Sequence, residues 1–233
     1  MSWVCVVPVK GSAAAKTRLG ELPESFPARG ELAEAFALDT VAALLASPSV
    51  QQVLVVTAEP AAAAPLEALG ARIVPEPPPA QASNPTDAPS TSTAAPSDPL
   101  NAAIGEGVRV AHELWPLSDV AVFTGDLPAL TAADVERTLT RAADYDRAMV
   151  ADEEGIGTTT LLARAGVALT PRFGAGSRAA HEAAGHHPLD LPASSSIRRD
   201  VDTVADLAEV LRRGVGAHTS ALIARSQLGS RHL

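Results

Sequence analysis

The sequence predicts a single α/β domain over residues 1–233, in which helices cover both faces of a mostly parallel, mixed sheet to give three layers. Three observations support this prediction. Short valine-rich runs alternate with helical stretches, as in right-handed strand–helix–strand units. The runs lack an apolar/polar alternation, so we expect strands that are buried on both faces. A chain of 233 residues is also long enough to bury a sizeable core.

The elements follow one another in a regular order. Before the middle of the chain, the predicted strands are 3–9, 53–57 and 71–74, and the predicted helices are 27–46 and 61–69. Later in the chain, the predicted strands are 120–124, 148–151 and 159–163, and the predicted helices are 100–114, 131–142, 177–184 and one ending at Arg213. Gly70 and Gly214 favour helix ends, and Thr131 with Asp134 is typical of a helix start.

One stretch interrupts this order. Residues 75–99 contain eight prolines and seven serines or threonines, and almost no large apolar side chain. Such a composition cannot bury enough surface to order itself. Because the strand–helix alternation resumes directly afterwards, we predict a flexible insertion at about 76–97 and not a domain boundary.

Composition excludes several classes of protein. The net charge of −9 and the aromatic content of 3% argue against a nucleic-acid or membrane-surface binder. The single cysteine, Cys5, excludes an internal disulfide and is expected in a buried strand. Neither a signal peptide nor a run of membrane-spanning length is found, so we expect a cytoplasmic protein. The six histidines show no ligand spacing, and His186, His187 and His232 are expected at the surface.

A basic loop follows the first predicted strand. Its cations are Lys10, Lys16 and Arg18, and the two lysines are the only ones among 18 basic residues. The spacing is neither that of a Walker loop nor that of a dinucleotide fingerprint. Compact ammonium groups at the carboxyl end of a strand could neutralise a triphosphate. The alternative is an ordinary solvated loop.

Aspartates that could bind a metal ion occur in two later parts of the sequence. Gly125-Asp126 comes directly after an apolar strand, where ligands of parallel sheets bind. Asp200 and Asp202 are separated by one residue, so an extended chain puts both carboxylates on one face. Carboxylates in such positions can hold Mg²⁺ against phosphate oxygens. The alternatives are an ordinary turn at Asp126 and a helix cap at Asp202 or Thr203.

Three further motifs could contact a ligand. The glycine- and threonine-rich segment 152–160 offers hydroxyl and amide groups, or it is simply a hairpin. The segment 171–177 places Arg172 and two glycines before a helix that Ser177 could cap. Asn101 lies at a helix start and could contact a base or ribose edge, although a solvent-facing helix start is equally ordinary.

The order of these motifs resembles the nucleotide-diphospho-sugar transferase type of Rossmann-like fold. More closely, the sequence resembles the guanylyltransferases that make coenzyme F(420), a deazaflavin. The matching stretches are 8–10 with 15–19, 98–101, 125–130, 157–158, 172–174 with Ser177, and 199–203. They cover nearly the whole chain, although the insertion departs from the compact pattern of this family.

The resemblance implies an enzyme that transfers GMP from GTP to a three-carbon phosphoacid and releases pyrophosphate. In some members the acceptor is phosphoenolpyruvate, which gives enolpyruvoyl-2-diphospho-5'-guanosine, and in others it is 2-phospho-L-lactate. The resemblance also implies roles for individual residues. The implied Mg²⁺ ligands are Asp126, Asp200 and Asp202. The implied phosphoacid-binding residues are Lys10, Thr158, Gly174 and Ser177, and the implied nucleotide-binding residues are Lys16, Arg18, Asn101 and Gly125. The implied catalytic residues are Lys10, Lys16, Arg18 and Asp126.

Several alternatives remain open at this point. The acceptor could be phosphoenolpyruvate, 2-phospho-L-lactate or 3-phosphoglycerate. A sugar-1-phosphate or molybdopterin nucleotidyltransferase would usually have a more glycine-rich first loop, and an α/β hydrolase would need an aspartate where Lys10 stands. A non-catalytic nucleotide-binding domain would not need three aspartates. The expected partners are GTP and the phosphoacid, with the enzyme that consumes the product as a further one. A homodimer stays open because apolar helix faces could serve a core or an interface.

Overall fold

The computed structural model describes residues 2–9, 19, 22, 26–77 and 98–229. The strands are β1 (Trp3–Pro8), β2 (Val50–Thr57), β3 (Arg72–Pro75), β4 (Asp119–Phe123), β5 (Arg147–Ala151), β6 (Thr158–Ala163) and β7 (His187–Pro188). The helices are α1 (Arg29–Leu45), α2 (Pro60–Leu69), α3 (Pro99–Leu114), α4 (Ala132–Ala142), α5 (Ser177–Ala183), α6 (Val204–Arg213) and α7 (Ala217–Gly229), with a 3₁₀ turn at Ser196–Arg198. In the described ranges, no helix combines the length and the apolar character needed to cross a bilayer.

The strands form one seven-stranded mixed sheet in the order β3-β2-β1-β4-β6-β5-β7. Pairings in the half of the sheet from β3 to β4 are parallel, while β6 runs antiparallel to both β4 and β5. A connection of six residues, 152–157, joins β5 to β6, which is too short for a parallel crossover. As a result, the carboxyl ends of β1, β4 and β5 and the amino end of β6 lie at the same edge of the sheet. This edge carries the candidate site.

Hydrophobic side chains cover the sheet on both faces. On one face, Cys5 and Val7 pack with Val41 of α1 and Leu139 of α4, among others. On the other face, Val6 packs with residues of α3. All of these strand side chains are almost completely buried, which accounts for their lack of alternation. The predicted three-layer arrangement and the buried position of Cys5 are confirmed.

The structure corrects the predicted elements in several places. Strand β7 is absent from the prediction, and the residue that caps α5 is Gly176 and not Ser177, which is the first residue of the helix. The strand predicted at 53–57 begins at Val50, and the helix predicted at 27–46 begins at Arg29. The last helix, α7, is absent from the prediction because no apolar stripe runs along it. Its position is fixed by the buried carboxylate of Asp39 on α1, which accepts the backbone N–H groups of His218 at 2.9 Å and Thr219 at 3.0 Å. This carboxylate supplies the cap that the local sequence lacks.

Candidate active site

An open cleft of about 600 Å³ lies at the edge of the sheet where β1, β4 and β5 end and β6 begins. It is lined by Pro8 at the end of β1 and the following Val9, by 124–126 after β4, and by parts of the β5–β6 loop and of the segments 173–177 and 200–202. The cleft therefore joins segments that are far apart in the sequence. Most of them are the segments in which the sequence predicts ligand-binding residues.

The turn after β4 places Asp126 in this cleft. Gly125 lets this turn pack closely against the end of β1, because a Cβ at this position would lie 3.0 Å from the carbonyl oxygen of Pro8. The backbone N–H of Val201 donates to the carbonyl oxygen of Asp126 at 3.1 Å. This bond holds the segment that carries Asp200 and Asp202 against the β4 turn.

The three aspartates form a compact cluster. One carboxylate oxygen from each of Asp126, Asp200 and Asp202 lies within 4.8 Å of the others, and all three side chains are partly buried. The pKa of the Asp200 carboxyl is raised to about 7, first by burial and then by the charges of Asp126, Asp202 and Asp152. A cation among these oxygens would remove the repulsion that raises this pKa. An all-carboxylate set suits a hard divalent cation such as Mg²⁺.

Helix α6 is capped by Thr203 and not by the neighbouring Asp202. Thr203 caps the helix, because its Oγ1 accepts the backbone N–H of Asp206 and the Asp206 carboxylate accepts the N–H of Thr203 at 2.7 Å. The sequence left open whether Asp202 or Thr203 is the cap. Since Thr203 has that role, capping does not account for Asp202.

The β5–β6 loop forms a second wall of the cleft. The carboxylate of Asp152 accepts the backbone N–H groups of Ile156 at 2.9 Å and Gly157 at 2.6 Å, which closes the loop on itself. Gly157 has no room for a side chain beside this carboxylate. The hairpin interpretation of 152–160 is correct, and the same loop lines the cleft. The two interpretations of this motif are therefore compatible.

A third wall consists of residues 173–177, and two side chains hold its start. Both amide atoms of Asn101 bond to the backbone of Phe173, with Nδ2 donating to its carbonyl oxygen at 3.0 Å and Oδ1 accepting its N–H at 2.8 Å. The backbone N–H of Arg172 donates to Nε2 of His181 at 2.9 Å. Gly174 has φ of +127°, a conformation that side chains strongly disfavour. The local path of this loop thus depends on Asn101, His181 and a glycine.

The described lining of the cleft is acidic. It includes the carboxylates of Asp126, Asp152, Glu154, Asp200 and Asp202, and no lysine or arginine. A phosphate group could enter such a cleft only together with cations. Val9, the residue before Lys10 in the sequence, also lines the cleft.

The structure brings together most of the predicted site. The predicted residues that line the cleft are Gly125, Asp126, Thr158, Gly174, Ser177, Asp200 and Asp202. Lys10, Lys16 and Arg18 lie outside the described residues, as does most of the predicted insertion. Asn101 is not among the lining residues, and its bonds to Phe173 place it beside the loop that leads to Gly174. Its contact with the nucleotide stays a prediction.

Sequence reasoning missed His181 and misplaced His186. His181 is completely buried, and its Nδ1 lies 3.0 Å from Oγ1 of Thr158. His186, expected at the surface, is buried with Nδ1 3.2 Å from the carbonyl oxygen of Ala148, whereas His187 is exposed. No local sequence pattern indicates the role of His181. Its partner Thr158 is distant in the sequence, and its partner Arg172 is reached only through the turn before α5.

Comparisons with known proteins identify the family and support the fold. The protein family described as "Guanylyl transferase CofC like" matches residues 95–229. A phosphoenolpyruvate guanylyltransferase of Streptomyces scabiei is 46% identical over 225 residues, covering 97% of each chain. One of Thermomonospora curvata is 43% identical over 225 residues, covering 97% of this chain and 90% of the relative. Among solved structures, a proposed nucleotide-diphospho-sugar transferase of Desulfovibrio desulfuricans G20 superimposes with a TM-score of 0.60 at 18% identity, covering 97% of this chain and 99% of that one.

Proposed function

The chain belongs to the family of CofC-like guanylyl transferases, and we propose that it transfers GMP from GTP to phosphoenolpyruvate. The products are enolpyruvoyl-2-diphospho-5'-guanosine, a precursor of coenzyme F(420), and pyrophosphate. The observation that carries this proposal is the cluster of three aspartates within 4.8 Å in a cleft that is also lined by Thr158, Gly174 and Ser177. Two relatives at 43% and 46% identity over 97% of the chain are phosphoenolpyruvate guanylyltransferases.

In this proposal the reaction is a single in-line displacement. An oxygen of the phosphoenolpyruvate phosphate attacks the α-phosphorus of GTP, a new P–O bond forms, and the bond from the α-phosphorus to the bridging oxygen breaks. The electron pair leaves with pyrophosphate, so no covalent enzyme intermediate is needed. The contribution of the protein is then positioning and charge stabilisation.

Asp126, Asp200 and Asp202 would hold Mg²⁺, which supplies positive charge for the phosphate oxygens as negative charge develops on them. The partial burial of the three carboxylates strengthens their attraction for a cation. Asp152 is committed to the backbone of its own loop, so we assign it to shaping the cleft. The acidic lining explains why the phosphoacid and GTP need positive charge from elsewhere.

The remaining groups divide between the two substrates. Thr158, Gly174 and Ser177 would bind phosphoenolpyruvate together with Lys10, which follows the cleft-lining Val9 in the sequence. Lys16 and Arg18 would neutralise the triphosphate, and Gly125 would let the nucleotide approach the turn after β4. The proposed compartment is the cytoplasm, where a downstream enzyme would draw off the product.

The proposal is tested by pyrophosphate release from the purified protein with Mg²⁺. GTP and ATP are each paired with phosphoenolpyruvate, 2-phospho-L-lactate and 3-phosphoglycerate, and the guanylylated product is identified by mass spectrometry. We expect release with GTP and phosphoenolpyruvate. Selective turnover of another acid would reassign the acceptor, and GTP binding without turnover of any pair would favour a non-catalytic nucleotide-binding protein.

A further inference from the structure

His181 links two walls of the cleft although it is completely buried. Its Nδ1 is 3.0 Å from Oγ1 of Thr158, at the start of β6. Its Nε2 accepts the backbone N–H of Arg172 at 2.9 Å, at the start of the loop that leads to Gly174. Its ring also packs edge-on against Phe173, with 5.1 Å between ring centroids. One side chain therefore contacts both segments that we assign to the phosphoacid.

The two bonds determine which nitrogen of His181 carries the proton. A backbone N–H can only donate, so Nε2 must be the acceptor of the Arg172 bond and carries no hydrogen. A neutral imidazole then has its hydrogen on Nδ1, and this N–H donates to Thr158. Burial, assisted by the charges of His186 and Arg172, lowers the pKa of His181 to about 4, which keeps the ring neutral near pH 7.

This tautomer fixes the role of the Thr158 hydroxyl. A hydroxyl has one hydrogen to donate, and its oxygen can accept. Because the oxygen accepts from His181, the hydroxyl hydrogen does not point at the imidazole. Since Thr158 lines the cleft, we expect this hydrogen to face a ligand bound there. The carboxylate and the phosphate of a phosphoacid are acceptors at neutral pH, so they require donors in the protein. The opposite tautomer would direct the hydroxyl hydrogen away from the ligand.

We propose that His181 is a positioning residue that presents the Thr158 hydroxyl as a hydrogen-bond donor to the phosphoacid and holds the loop before Gly174. The inference rests on the proposed function, because it takes Thr158 and Gly174 as acceptor-binding residues. It assigns to this buried histidine a specific effect on the KM for the acid. Its contacts are with the acceptor-binding segments and not with the residues assigned to GTP, so the KM for GTP should not change.

Two substitutions separate the two bonds of the imidazole. In His181→Asn the side-chain amide can reach the position of Nδ1 and donate to Thr158, but it cannot reach the Arg172 amide. In His181→Gln the side-chain oxygen can reach the position of Nε2 and accept from Arg172, but the donor to Thr158 is lost. We expect His181→Gln to raise the KM for phosphoenolpyruvate about tenfold, the value for one hydrogen bond to a charged group. His181→Asn should restore part of this loss if the Thr158 bond is the important one.

The decisive measurement is a double-mutant cycle with Thr158→Val, which removes the hydroxyl and keeps the shape. The double variant Thr158→Val/His181→Gln should have the same KM for phosphoenolpyruvate as Thr158→Val alone, because the imidazole then has no hydroxyl to orient. If the two substitutions raise the KM for phosphoenolpyruvate independently, so that their effects multiply, or if the KM for GTP rises equally, the proposal is overturned.

His186→Gln is the matched control. It replaces a neighbouring buried histidine whose Nδ1 faces the carbonyl oxygen of Ala148 instead of Thr158. The KM of this variant for phosphoenolpyruvate should be that of the wild type.

The wild-type enzyme, assayed in parallel, separates this inference from the proposed function. No turnover of phosphoenolpyruvate by the wild type contradicts the proposed function. If the wild type turns over normally and a folded His181→Gln variant has an unchanged KM for phosphoenolpyruvate, only the proposed role of His181 is contradicted. Circular dichroism establishes folding of each variant, and His181→Asn provides the second readout if His181→Gln does not fold.

Discussion

At the scale of single residues, the cleft combines groups that would repel one another without a cation. Asp126 is the member of the aspartate cluster that the turn after β4 fixes most directly, through Gly125 and the bond from Val201. Its neighbours Asp200 and Asp202 flank Val201, the residue that donates this bond. Asp126 is therefore the first residue to test in the proposed metal site.

Asp126→Asn should lower kcat by at least about a hundredfold, because the amide keeps the shape but removes one charge from the cation site. The backbone carbonyl that accepts from Val201 is unchanged, so the thermal unfolding midpoint should stay close to that of the wild type. Pyrophosphate release and differential scanning fluorimetry test both expectations. Near-normal turnover at saturating Mg²⁺ would remove Asp126 from the metal site.

The buried histidine makes stability depend on pH. The folded-state pKa of His181 is lowered to about 4, so between pH 6.5 and about 4 the unfolded chain binds a proton that the folded ring does not. The contribution of His181 to the free energy of unfolding should therefore decrease as the pH falls through this window and be fully regained above pH 6.5, whereas the raised pKa of Asp200 contributes with the opposite sign. Replacing His181 by Gln should make this decrease smaller by up to about 3 kcal/mol. Urea unfolding of the wild type and of His181→Gln at several pH values measures this difference. The same dependence of the unfolding free energy on pH in the two proteins would contradict the lowered pKa of His181.

At the scale of elements, the loop before α5 is held by side chains from other elements and by the backbone of Gly174. Among the described residues, a Cβ added at Gly174 would meet no atom closer than 4.0 Å, so the strain of a substitution would come only from φ of +127°. Gly214, at the end of α6, has φ of +112°, and a Cβ added there would also have no described neighbour within 4 Å. The two glycines thus have similar φ angles, but only Gly174 is among the residues that line the cleft.

Gly174→Ala and Gly214→Ala should each destabilise the protein by about 1–3 kcal/mol, the usual cost of a residue held in such a conformation. Only Gly174→Ala should also raise the KM for phosphoenolpyruvate, because the loop must move to relieve the strain. Chemical denaturation and steady-state kinetics on the pair test this. An unchanged KM in Gly174→Ala would show that the path of this loop does not affect acceptor binding.

Elements with local signals could be predicted from the sequence, and elements that depend on distant partners could not. Thr131 caps α4, and Gly70, with φ of +111°, ends α2, as their sequences indicate. Helix α7 has no such signal, because its cap, Asp39, is far away in the sequence. The same reasoning applies to the site: Asp126 directly follows a strand, and Asp200 and Asp202 are recognisable by their spacing, whereas the contacts of His181 form only when β6 and α5 pack together.

At the scale of the whole molecule, the net charge of −9 is accompanied by a cleft whose described lining is also acidic. Bringing these carboxylates together opposes folding, and the raised pKa of Asp200 is one sign of that opposition. A divalent cation that binds only the folded cluster should therefore stabilise the entire protein. Monovalent salt would screen the surface charges but would not occupy the site.

We expect Mg²⁺ to raise the unfolding midpoint more than NaCl at equal ionic strength, with a shift that grows with the logarithm of the Mg²⁺ concentration above its Kd. In Asp200→Asn the specific part of this shift should disappear, because the cluster loses one of its three carboxylates. Glu154→Gln is the matched control, since it removes a carboxylate that lines the same cleft but does not belong to the cluster. Equal Mg²⁺ shifts in wild type, Asp200→Asn and Glu154→Gln would mean that the cation acts on the general charge of the protein and not at the three aspartates.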